Sequence, residues 1–146
     1  MQGLKLINYG FSKSLMTVLW TVKVVNEWCE KYRGKDFSCY SEAYGKFGCW
    51  IHSASYGSCF ELREMVERYL ESKGVDIRLV SAATSLFCGA MEIEVEYDEH
   101  VYGLLRDALS HVVETGEEAI IRSHAESLIE LITTAERLKS GIMCSG

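Results

Sequence analysis

The chain is expected to be a single α+β domain over residues 1–146, with a small, mainly antiparallel sheet packed against four or five helices. Three observations carry that expectation. Met91-Glu92-Ile93-Glu94-Val95-Glu96-Tyr97-Asp98 alternates apolar and polar residues strictly. Such alternation describes a strand with one face buried and one in water, hence an antiparallel sheet covered on one side. On either side of it, Leu62, Met65, Val66, Tyr69 and Leu70, then Val101, Leu104, Leu105, Ala108 and Val112, recur at helical spacing. Finally, 146 residues that are 48% hydrophobic and 25% charged, without repeat, low-complexity tract or linker, suit one core.

The elements follow in order. Gly3 to Tyr9 is short and apolar with partial alternation, an edge strand or the lead into a first helix. Ser12 is placed to cap a helix reaching about Arg33, with Leu15, Val18, Leu19, Val22, Val25 and Cys29 on one stripe and Trp20, Val24 and Trp28 on a second. A helix apolar on two sides is central to a core or buried between copies, so a homo-oligomer is expected. Between Gly34 and Gly57 two readings compete. Phe37, Tyr40, Tyr44, Phe47 and Ile51 fit a short helix started by Asp36, whereas Trp50 to Ser55 suits a strand.

Ser58 and Glu61 form a capping box at the head of a helix from Cys59 to Lys73, which Gly74 ends. Val75 to Ser81 reads as a strand through Val75, Ile77 and Leu79. After the strand over 91–98, Asp98 caps a helix to about Val113, and Thr115 with Glu118 forms a second capping box. That box opens a last helix through Ile121, Ala125, Leu128, Ile132, Ala135 and Leu138 to Gly141, leaving Ile142 to Gly146 as a fraying tail. With no proline in the chain, glycines and side-chain caps supply the punctuation.

Charge narrows the partners. The net charge is −6, with a mild basic excess before residue 59 and a strong acidic one after it, so nucleic acid is not expected. Phe11 to Cys29 is apolar but broken by Lys13, Lys23, Asn26 and Glu27, which fits neither a secretory signal nor a membrane span. A cytoplasmic protein with six reduced cysteines and no membrane association is the expectation.

The sharpest chemical signal is Cys59. At the first position of a capped helix, its sulfur would meet unpaired amides and the positive end of the helix dipole, which favours a thiolate. His52 and His100 are the nearest candidates for its base. Gly57-Ser58-Cys59 entering a helix, with Gly74 to Ser81 as a strand and a second strand after it, locally resembles the papain-like and transglutaminase-like cysteine enzymes across roughly residues 56–97. Those families place a histidine where this chain has Gly89-Ala90-Met91.

Cys29, Cys39, Cys49 and Cys59 stand ten apart, and Cys39, Cys49, His52 and Cys59 offer a tetrahedral donor set. Only Cys49 and His52 form a close pair, so neither a metal nor any other cofactor is expected. His111 and His124 read as surface or boundary residues, and Glu92, Glu94 and Glu96 as the charged face of a strand. The sequence therefore points to a small binding or regulatory protein with a protein or small-molecule partner. The alternative is a cysteine-dependent acyl-transfer or hydrolytic enzyme using Cys59, and whether the chain is an enzyme stays open.

Overall fold

The computed structural model describes residues 16–32, 38–49 and 51–146. Among them are four strands, β1 (Thr17–Val22), β2 (Ile51–Ser55), β3 (Glu92–Val95) and β4 (Ile142–Ser145). Six helices accompany them: α1 (Lys23–Tyr32), α2 (Ser38–Phe47), α3 (Tyr56–Ser72), α4 (Ile77–Thr84), α5 (Glu99–Thr115) and α6 (Ala119–Arg137). The strands form one antiparallel sheet in the order β2-β1-β4-β3, so the fold is α+β. α3 and α6 lie against β1 and β2, and α5 packs on both helices. The strand expected at Gly3 to Tyr9 and the caps expected at Ser12 and Asp36 lie outside the described residues.

The expected long first helix is instead a strand followed by a helix. Thr17-Val18-Leu19-Trp20-Thr21-Val22 is β-branched and aromatic, the composition that suits a pleated surface. From Val18 to Val22 every residue is buried, on both faces, which removes the alternation that marks a half-buried strand. Trp20 belongs to the core, where its indole N–H donates to the Leu86 carbonyl at 2.9 Å. The proposed Trp20/Val24/Trp28 contact stripe therefore does not exist. The first amides of α1 are met by the Gly141 carbonyl, 2.9 Å from the Lys23 nitrogen, and by Ser140 Oγ, 3.0 Å from that of Val24.

β4 is the second correction. Ile142 to Ser145 forms a strand between β1 and β3, with Ile142 and Cys144 fully buried. In the difficult segment both readings hold, α2 before β2. Val75 to Ser81, however, is not a strand. Asp76 Oδ1 accepts from the Arg78 amide at 2.9 Å and starts α4, which buries Val80, Ala83 and Thr84 at helical spacing.

The remaining caps divide. Asp98 caps α5, accepting from the Val101 amide at 2.9 Å. Gly74, at φ +76°, closes α3 with the Val75 amide bonded to the Leu70 carbonyl at 3.1 Å and its own to Glu71 at 3.0 Å. Ser58 is not the cap of α3. Ser55 is, with its Oγ 3.1 Å from the Ser58 nitrogen. Nor does Thr115 cap α6: its hydroxyl bonds back to the His111 carbonyl.

Cysteine chemistry also differs from expectation. Cys29 is bonded to Cys39, tying α1 to α2, and Cys88 to Cys144, tying the α4–β3 connection to β4. Cys49 and Cys59 are free and buried. The ten-residue spacing of Cys29 and Cys39 thus reflects a disulfide. No helix among the described residues is long and apolar enough to cross a membrane.

Candidate functional site

Antiparallel pairing of β1 with β2 sets His52 directly opposite Trp20. The two rings stack, with centroids 5.9 Å apart and planes 16° from parallel. His124 comes from α6, on the buried stripe of Ile121, Ala125 and Leu128, and its Nδ1 lies 3.1 Å from His52 Nε2. One of these nitrogens must donate and the other accept, so the pair shares a single proton along this bond. Burial lowers the pKa of both rings. For His52, burial and then repulsion from a charged His124 bring it to about 4. Both are neutral near pH 7.

His52 of this pair lines a cleft of about 220 Å³ between α2, β2 and α6. His52, Cys49 and Ile51 line one side, with Ser127, Glu130 and Leu131 of α6 across from them and Tyr44 of α2 at the end. The Tyr44 hydroxyl donates to Glu130 Oε1 at 3.4 Å. Burial pushes the Cys49 thiol up to about 11, with Glu130 adding to it and the Thr134 hydroxyl and Arg137 opposing. Cys49 is therefore protonated at neutral pH, a weak donor on the wall and not a ready nucleophile. A larger depression of about 420 Å³ separates α3 from α5, but its polar groups, Arg68, Lys73 and His111 among them, are on open surface.

Of the three residues singled out for catalysis, none is brought to another by a described contact. Cys59 is the fourth residue of α3, fully buried, and burial raises its pKa while the Gly89 amide works against the rise. The thiolate-favouring helix start expected from Ser58 is thus replaced by an apolar setting. His100 is exposed in the first turn of α5, and His52 faces His124. The local resemblance to cysteine enzymes also lapses, since its first strand is α4.

Among the described residues no three His, Cys, Asp or Glu side chains form a group able to hold a metal, and Cys39 of the four-residue donor set is in a disulfide. Glu92 and Glu94 are exposed on β3, and Glu94 pairs with Lys23 at 3.1 Å. His124 is the residue sequence reasoning missed. Its signal was its position three after Ile121 and four before Leu128, on the buried stripe of α6. No protein-family model matches this chain, and neither a curated protein nor a solved structure does so.

Proposed function

We propose that this is a binding protein for a small amine, with its site in the cleft over the His52–His124 pair. The observation that supports this reading most is that His52, half-buried and bonded to the buried His124, lines a cleft whose one charged wall residue is Glu130. Several acceptors line this cleft: the exposed Glu130 carboxylate, the Tyr44 and Ser127 hydroxyls and the half-buried His52 ring. An ammonium group supplies N–H donors to that set and balances Glu130. Arg137, the nearby cation, is engaged with the Phe47 carbonyl. At about 220 Å³ the cleft is smaller than a drug-sized site, so the ligand is a compact one.

Binding of this kind would serve a regulatory role. Self-association would use Phe60, Ile77, Met91 and Ile120, which are about half exposed or more. The two disulfides weigh against the cytosol and for a non-reducing compartment.

Isothermal titration with primary amines from methylammonium to 1,4-diaminobutane tests the proposal. Saturable binding is expected for at least one member, weakened tenfold or more in a folded Glu130→Gln variant. Absence of binding across the series at millimolar concentration, or binding unchanged by Glu130→Gln, would overturn it.

A further inference from the structure

We infer that the Cys88–Cys144 disulfide is a redox switch for the cleft, holding Trp20 and through it the ring of His52. Its effect on ligand binding rests on the amine reading; its effect on His52 does not. Directly opposed residues of an antiparallel sheet project from the same face. Cys144 stands opposite Trp20, and Trp20 opposite His52, so the disulfide, the indole and the cleft imidazole form one row across β4, β1 and β2. The other end of the disulfide lies in the α4–β3 connection, and the same stretch, Leu86 to Cys88, holds the indole twice more. The Leu86 carbonyl accepts the Trp20 N–H at 2.9 Å, and the Phe87 ring meets the indole edge-on with centroids 6.4 Å apart. Trp20 then stacks on His52 at 5.9 Å, and His52 bonds to His124 at 3.1 Å.

The connection itself is lightly held. Its described backbone bonds over residues 85–91 are local turns and one from the Gly146 amide to the Met91 carbonyl. Burial of Leu86 and Phe87 keeps the stretch seated whether or not the sulfurs are bonded, so the disulfide sets how often it lifts. Reduction takes a dithiol. Its thiolate attacks Sγ of Cys88, which at 8% is the most exposed of the four bonded cysteines, and Cys144 leaves as a thiolate that takes up a proton. The second thiol then closes on the first and releases Cys88, so the dithiol becomes a disulfide and the protein gains the two hydrogens as two thiols. Without the bond, lifting of the connection carries the Leu86 carbonyl off the indole, and His52 loses its fixed stacking partner.

Hydrogen exchange and imidazole ¹⁵N spectra at pH 7 test the switch, on the oxidised chain, the same chain reduced with dithiothreitol, and a Cys88→Ala/Cys144→Ala variant. Losing the bond should speed exchange of the Trp20 indole N–H about tenfold more than that of the buried α6 amides. The two ring nitrogens of His52 should converge in shift as its tautomers average. An indole N–H no faster than in the oxidised chain would overturn the inference. So would one speeded by the same factor as the α6 amides, because that marks loss of global stability alone. Stepwise reduction with alkylation should open Cys88–Cys144 before Cys29–Cys39, and the reverse order would contradict the switch. In isothermal titration the tightest-binding amine should bind the variant about tenfold more weakly. Equal affinities would also overturn the switch, whereas absence of binding in every form would count against the amine reading and leave exchange and imidazole shifts to decide the switch.

Discussion

His52 and His124 give the molecule an acid-sensitive point. Their folded-state pKa values lie below the ordinary 6.5, that of His52 at about 4. As pH falls below 6.5 the unfolded chain takes up a proton at His52 that the folded chain refuses until near 4, and the lowered His124 adds to it in the same direction, so stability falls across that window and is unaffected above it. For His52 the loss between pH 7 and 4.5 is on the order of 2 to 3 kcal/mol. Urea unfolding at pH 7, 5.5 and 4.5 should show a steeper loss in the native chain than in a His52→Leu variant. Parallel losses in the two proteins would contradict the buried, neutral pair. At this same scale a shift of helix start decides Cys59: with Ser55 as the cap, the thiol lies a turn inside α3 against the core, where burial outweighs the helix dipole.

Among the elements, β4 separates sequence from structure most sharply. If Ile142 belonged to a frayed tail, its truncation would cost under about 0.5 kcal/mol. In a central strand, fully buried against Val22 and Val95, Ile142→Ala should cost about 2 to 5 kcal/mol, measured as a lowered denaturant midpoint with unchanged slope. What the sequence made legible were elements with a single buried face. α3, α5 and α6 show their stripes, and β3 its alternation, because water on the opposite side keeps the pattern clean. β1 hid because both its faces are buried. α4 hid because Val75, Ile77 and Leu79 alternate by chance over a span too short to tell two periods apart, with Asp76 the unread cap. β4 is four residues long, shorter than a periodicity can establish. Of the candidate site, His52 was visible but its partner was not: a histidine on an apolar stripe is recognised as buried only once the opposite strand is in place.

The whole molecule builds its cleft from pieces far apart in the chain. Tyr44 and Cys49 come from the α2 region, held to α1 through Cys29–Cys39, while Ser127 and Glu130 come from α6 and His52 from the strand between. The sheet fixes His52 through Trp20, and α6 crossing β1 and β2 fixes His124, so the site exists only in the assembled fold. That assembly explains why no local motif announced it. Long-range ¹H–¹⁵N spectra of the imidazole rings at pH 7, recorded while a small primary amine is titrated in, test whether the cleft at His52 binds it. The expected result is that His52 and His124 are neutral in the free protein, with His52 shifting saturably as amine binds and His100 and His111 unmoved. Rings already charged at pH 7, or amine-induced shifts at His100 and His111 with none at His52, would contradict it.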